Sequence, residues 1–439
     1  MADEALSRPG AIQAEQSARL GRLVGAVLSG NGFYRSKLAA AGITAPPRTI
    51  AEFTARFPCT TKQELAEDQR NHPPYGTNLT FPIERYTRFH QTSGTGGAPL
   101  RWLDTPESWE WMLGNWGEIY AKAGVERRDH VFFAFSFGPF IGFWLAFEAA
   151  ARLGCLCLPG GGLGSAARLR MLLDNGATVL CCTPTYAIRL AEVAAAENID
   201  LAASKVRTIL VAGEPGGGIP STRRRIESLW RGARVFDHHG MTEVGPVSYE
   251  CPAQPGRLHI LASRYLAEII NPETSAAATC GERGELVLTP LGREGSPLLR
   301  YRTGDLVRAA KDARIEDGVL LTDRCQCGSH DLALDGGILG RVDDMVVVRG
   351  VNVYPGAVEE IVRATGGVAE YRVLVGDGGA MTELKIEVEP ETEGGPVESL
   401  RERLQKAFQT ALSLRIAVEV VSPGTLPRYE MKARRWVRA

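Results

Sequence analysis

Val131-Phe132-Phe133-Ala134-Phe135 is an apolar, strand-like run, and three more follow it at residues 156–159, 179–182 and 209–211. Between them lie amphipathic stretches of helical period at residues 141–153, 166–175 and 184–197. Alternation of this kind predicts an α/β fold in which a parallel sheet is covered by helices. Ligands of such sheets collect at the carboxyl ends of the strands. Gly160-Gly161-Gly162 and Gly213-Glu214-Pro215 follow two of the runs, which is where a site would lie.

Upstream, Leu20, Leu23, Val24 and Val27 are spaced to form one apolar helix face, so the first sixty residues read as a helical cap. Beyond Pro255 shorter β-like runs appear, including residues 284–289 and 298–302, and the last hundred residues change character again. Strand-like segments at 345–348, 371–375, 384–388 and 417–420 alternate there with helix-like ones at 355–365 and 397–412, a small α+β pattern. A chain of 439 residues exceeds one ordinary core. We therefore expect a large N-terminal domain over 1–339, with a β-rich subdomain around 245–335, and a C-terminal domain over 340–439.

Composition narrows the class of function. A hydrophobic content of 44%, a formal net charge of -1 and a pI near 6.7 give no electrostatic case for nucleic acid or an anionic membrane. Any anionic ligand must be held by a local site. No apolar run reaches membrane-spanning length, and Met1-Ala2-Asp3-Glu4 does not open a signal peptide, so a cytoplasmic location is expected. The nine cysteines are odd in number and need not pair, and Cys155, Cys157, Cys181 and Cys182 sit in apolar stretches as small hydrophobes.

Five motifs carry chemistry. The first is Thr92-Ser93-Gly94-Thr95-Gly96-Gly97-Ala98-Pro99, whose glycines and hydroxyls suit it to wrapping a polyphosphate. It lacks the lysine and following hydroxyl residue of a Walker loop. The second is Asp237-His238-His239-Gly240-Met241-Thr242-Glu243, in which a hydroxyl beside a carboxylate suits a phosphate bridged by Mg²⁺. The third is Tyr301-Arg302-Thr303-Gly304-Asp305, an acidic turn able to accept from two vicinal hydroxyls. Gly340-Arg341-Val342-Asp343-Asp344, followed by Arg349-Gly350, is the fourth, and the basic tail from Leu426 through Lys432 to Arg435 is the fifth.

In this order the motifs resemble the adenylate-forming superfamily of acyl-CoA synthetases, adenylation domains and luciferases. Phe57-Pro58-Cys59-Thr60-Thr61-Lys62 adds a likeness to the phenylacetate-CoA ligase branch. The resemblance implies an acid-thiol ligase that turns a carboxylic acid and ATP into an acyl-AMP and then an acyl-CoA, with delivery to a carrier-protein thiol or an amine as the rival outcome. It implies that Ser93, Gly94, Thr95, Gly96 and Gly97 hold the β- and γ-phosphates of ATP, while Gly213, Glu214, Pro215, His238, His239, Gly240 and Met241 border the nucleotide. His239 stands where many relatives carry an aromatic tyrosine. Thr242 would contact the α-phosphate, Glu243 the Mg²⁺, and Asp305 and Arg341 the ribose. Asp343 matches a hinge and Lys432 the lysine that serves adenylation. Gly350 would face coenzyme A once the lid turns, and a homodimer accords with the same likeness.

Two further groups stand outside these motifs. Cys251 and His259, with the pair Cys325 and Cys327, make a Cys₃His set of the kind that binds structural zinc, with Cys280 and His330 as rival ligands. Phe135, Ser136, Phe137, Gly138 and Phe140 form an aromatic segment broken by small residues, readable either as core or as the wall of a pocket for an aromatic or arylacetic acid.

Overall fold

The computed structural model describes residues 9–92, 99–349, 351–377, 382–391, 397–430 and 432–438. Ser93 to Gly97, and Gly350, therefore lie outside the described residues.

At the centre is a five-stranded parallel sheet of β1 (His130–Phe133), β2 (Leu156–Pro159), β3 (Val179–Cys182), β4 (Thr208–Val211) and β5 (Arg234–Asp237). The strands stand in the order β2-β1-β3-β4-β5. Val131, Phe132, Phe133, Val179, Leu180, Ile209 and Val211 expose no surface, because helices cover both faces. Full burial of each side chain contributes roughly 1.5–3 kcal/mol.

The helices end where local chemistry says they should. Helix α1 (Ile141–Leu153) buries Ile141, Leu145, Ala146, Ala149 and Ala150 along one face and stops at Gly154, which takes the left-handed φ of +90°. Helix α2 (Ser165–Asp174) follows the glycine-rich turn after β2. Helix α3 (Pro184–Ala196) begins with Pro184, and the Thr183 hydroxyl caps it by accepting the N–H of Tyr186. Helix α4 (Pro220–Leu229) leads into β5. The chain leaves β1 for β2 on one side and crosses back to β3 on the other. The strand order therefore reverses between β1 and β3, and the crevice that such sheets use for ligands runs along the carboxyl ends of the strands.

The N-terminal helices Pro9–Gly30, Gly32–Ala40 and Ile50–Arg56 bury Leu20, Leu23, Val24 and Val27 against the β-rich part of the chain. That part contains an antiparallel sheet of Tyr265–Ile270, Arg283–Pro290, Tyr301–Arg308 and Gly340–Arg341, and a second sheet of Ser248–Glu250, Arg257–Ile260 and Ala333–Asp335. The strand expected over 298–302 starts only at Tyr301. Arg300, with φ at +46°, turns the chain so that its side chain reaches Glu268.

The last hundred residues have a core of their own, from Val348 to Val418. Helices Pro355–Thr365 and Val397–Leu412 lie with a four-stranded sheet ordered Ala417–Val420, Thr382–Pro390, Val368–Asp377, Trp436–Arg438. The final strand runs parallel to Val368–Asp377, pairing Trp436 with Val373. Arg435, largely covered, fixes the approach to it through an ion pair with Glu370 at 2.6 Å. Lys432 thus sits just before a firmly anchored strand.

Candidate active site

The crevice is lined from the ends of β4 and β5. After β5, the short strands Gly240–Met241 and Gly245–Pro246 pair antiparallel, so Thr242 and Glu243 occupy the tip of a tight hairpin. The tip is held from behind. Arg293 donates to the carbonyls of Thr242 at 2.7 Å and Glu243 at 2.9 Å, and the Tyr265 hydroxyl bonds the carbonyls of Val244 and Pro246. Glu243 is buried, and the ammonium of Lys62 lies 3.2 Å from its Oε1. Lys62 begins the helix Lys62–Asn71, whose entry is fixed by a reciprocal cap between Thr61 and Glu64.

A second carboxylate stands beside the hairpin. Asp305 is buried, with His239 Nε2 at 2.9 Å from Oδ2 and Arg341 at 3.3 Å from Oδ1. Because a carboxylate can only accept, His239 donates this bond from Nε2, and Nδ1 has no partner among the described residues. Arg341 also bonds Asp343 at 2.9 Å, so one guanidinium joins Asp305 to the exposed hinge candidate. His238 turns away from the crevice. It is buried edge-on against Trp116, its ring held neutral by burial, which pushes its pKa down to about 3.

Lys432 completes the set from the far side. Its Cε lies 3.3 Å from where a Cβ on Gly213 would stand, and Gly213 has φ at +93°, so only glycine fits the turn and the approach. Crowding by protein pushes the Lys432 pKa down, while Glu214 and Glu243 act to raise it. Glu214 accepts the N–H of Thr185 at 2.9 Å and that of Ala433 at 2.7 Å. Pro215 is exposed.

The aromatic segment after β1 divides. Phe135 is buried and stacks on Phe143 at 4.1 Å, whereas Phe137, Gly138 and Phe140 are half-exposed and Ser136 is exposed. Phe137 contacts Trp144 and Phe147, and Trp144 Nε1 donates to the Gly138 carbonyl at 2.8 Å. Phe135 is therefore core, and the residues after it form a surface of ring edges beside the crevice.

Outside the crevice, Cys251, His259, Cys325 and Cys327 bring their ligand atoms within 4.8 Å of one another. The Cys251 and Cys325 sulfurs are 3.6 Å apart, well beyond a disulfide bond, and Cys327 lies 3.5 Å from His259 Nε2. His259 Nδ1 lies 3.0 Å from the carbonyl of Asp331, a bond that turns the Nε2 lone pair toward the three thiols. Cys280 and His330 take no part in this cluster.

Sequence reasoning placed Lys62 in a branch motif without giving it a site role, and it gave no sign of Arg293. Lys62 had a signal, a lysine opening a capped helix. Arg293 had none, because its function depends on a partner, Asp104, lying 189 positions away.

Two buried carboxylates, Glu243 and Asp305, and a lysine that leads into a separate C-terminal core converge above a doubly wound sheet, an arrangement that suits an adenylate-forming enzyme. Residues 91–290 match the AMP-binding enzyme family, and residues 350–438 match the AMP-binding enzyme C-terminal domain. The chain is 30% identical to the phenylacetate-coenzyme A ligase of Thermus thermophilus, over 95% of this chain and 94% of that one. It is 30% identical to the phenylacetate-coenzyme A ligase of Escherichia coli over 96% and 93%. The chain belongs to the phenylacetate-coenzyme A ligase family of AMP-binding enzymes. It is an AMP-forming ligase that uses ATP to convert a carboxylic acid to an acyl-AMP and then to a coenzyme A thioester.

Among solved structures, 2-hydroxyisobutyryl-CoA ligase in its postadenylation state with an acyl-AMP superimposes with a TM-score of 0.89 at 28% identity, covering 97% of this chain and 89% of that one. The same ligase with CoA in its thioesterification state gives 0.71, covering 98% and 90%. The whole chain is thus arranged more like the first state, in keeping with Lys432 lying in the crevice.

Proposed function

We propose that the acid is aromatic or arylacetic, and that the adenylation and thioester steps use the crevice in two lid positions. The observation that carries the reading is the placement of Lys432 against Gly213 and Glu214, within the same crevice as Glu243, Asp305 and Arg341. A carboxylate oxygen of the acid attacks the α-phosphorus, the bond to pyrophosphate breaks, and the charge that builds on the phosphoryl oxygens is met by Lys432 and Thr242. Ser93 to Gly97 would hold the departing phosphates. Asp305 and Arg341 would hold the ribose, and the free Nδ1 and ring face of His239 suit the adenine side.

Mg²⁺ would be held by Glu243, whose buried carboxylate has the Lys62 ammonium at 3.2 Å and the Tyr301 side chain beside it, and would neutralise phosphate charge when bound. For the second step the segment beyond about residue 340 would turn near Asp343, withdrawing Lys432 and bringing the region of Arg349 and Gly350 to the crevice. The thiol sulfur of coenzyme A then attacks the acyl carbon, loses its proton and releases AMP. Support for an aromatic acid comes from the ring edges of Phe137 and Phe140, and from relatives named as phenylacetate ligases.

Zinc is the ion proposed for the cluster of Cys251, His259, Cys325 and Cys327. Tetrahedral ligands with Zn–S bonds of about 2.3 Å stand about 3.8 Å apart, close to the separations found, and the donor set is that of structural sites.

The test is pyrophosphate exchange over a panel of arylacetic, benzoic and short aliphatic acids, followed by mass measurement of the product with CoA added. Arylacetic or benzoic acids should give the highest exchange, and CoA the thioester. Preference for short aliphatic acids would overturn the substrate assignment. Lys432→Ala should lower exchange by at least about a hundredfold, in line with loss of a charge that meets the transition state.

A further inference from the structure

The resemblance implies that Glu214 borders the adenine, and its carboxylate also makes two contacts within the protein. Oε1 accepts the N–H of Thr185, in the first turn of α3. Oε2 accepts the main-chain N–H of Ala433, the residue after Lys432. One side chain therefore joins the amino end of α3, the carboxyl end of β4 and the lysine segment. Gly213, next to it, leaves the room through which the Lys432 stem passes.

We infer that Glu214 is the positioning residue that docks the lysine segment for adenylation, accepting the Ala433 N–H so that the Lys432 side chain is aimed across Gly213 into the crevice. The inference rests on the adenylating role of Lys432 given above.

The rest of the neighbourhood fits a dock. The segment is anchored on its own core at both flanks, by Arg428 on Glu389 at 2.6 Å and by Arg435 and Trp436, and between these anchors a lysine several bonds long would otherwise sample a wide arc. A second contact, from Ser165 Oγ to Glu430 Oε1 at 3.2 Å, holds the other flank. Both contacts cross from the N-terminal part to the tail and would part together when the lid turns. Because the Ala433 donor is a backbone group, any residue but proline at 433 preserves the dock. A carboxylate is needed rather than an amide, since two N–H donors face the two oxygens, and glutamine would set its own NH₂ against one of them.

The experiment is a double-mutant cycle read by pyrophosphate exchange: E214Q, K432A and the two combined, with A433P as a second way to remove the contact without altering Glu214. A hydrogen bond to a charged group commonly carries about tenfold or more, so E214Q and A433P should each lower exchange by at least about tenfold in the wild-type background. In the K432A background each should lower it by less than about twofold, since the lysine they aim is gone. Equal losses in both backgrounds, as expected of an adenine contact or a folding defect, would overturn the inference, as would no loss in either. If K432A alone left exchange intact, the role of the lysine itself would fall, a result distinguishable from additivity. Should E214Q fail to fold, the A433P cycle decides alone.

Discussion

Arg293 and Asp104 form a two-bonded ion pair, both bonds 2.7 Å long, in which neither side chain exposes any surface. The remaining nitrogen of Arg293 holds the carbonyls of Thr242 and Glu243, so a charge buried behind the crevice sets the height of the hairpin tip. Breaking one side of such a pair strands the other charge. Asp104→Asn should lower stability by about 3–5 kcal/mol in denaturant unfolding and reduce exchange along with it. Replacing both residues with apolar ones should cost less stability than Asp104→Asn alone, and the opposite order would contradict this account.

His239 touches the Asp305 carboxylate, proposed for the ribose, through Nε2. His239→Phe keeps a ring at this position but removes the bond to Asp305, leaving that carboxylate to Arg341. The kcat/KM for ATP should fall about tenfold, the usual scale for a bond to a charged group. Retention of the full value would show that Asp305 needs no support from this side.

Zinc should be found at about one ion per chain by metal analysis, and Cys325→Ser should reduce it. Structural zinc contributes folding energy directly, so removal by a chelator should lower Tm by several degrees, on the order of the shift that 1–2 kcal/mol gives in a chain of this size. Metal content far below one per chain would remove the assignment.

His90 offers a pH test. Burial against Trp109 pushes its pKa down to about 4, from the ordinary 6.5. The unfolded chain takes up a proton as pH falls below about 6.5, the folded chain only near 4, so stability is lost across that window as pH falls. His90→Phe, which keeps the stacking, should flatten the decline between pH 6.5 and 4 relative to the unaltered protein. Parallel curves would show that His90 does not carry it.

Much of the fold could be read from local patterns. Helix 141–153 ends where Gly154 permits a left-handed turn, and the strands at 156–159 and 179–182 are bounded by glycine, threonine and proline, so their limits follow from short-range sterics. The strand at 298–302 was displaced because Arg300 bends the chain to pair with Glu268, 32 positions away, a tertiary ion pair that overrides an apolar run. The Cys₃His set was legible from residue type, although spacing alone could not exclude Cys280 or His330. Glu214 was legible as part of the crevice, whereas its contact with the lysine segment was not, because the partner is a backbone N–H, which carries no sequence signature.

The sequence by itself determined the class of chemistry: a glycine-rich phosphate loop, a Thr-Glu pair, an acidic turn and a distant lysine appear in one order, and each residue type is suited to its part of an adenylating site. Only the tertiary structure decided how these parts are held. Arg293 under the hairpin, His239 and Arg341 on Asp305, and Glu214 on the Ala433 N–H all join residues far apart in the chain, and hydrogen bonds and ion pairs act over a few ångströms, a distance that no linear spacing encodes.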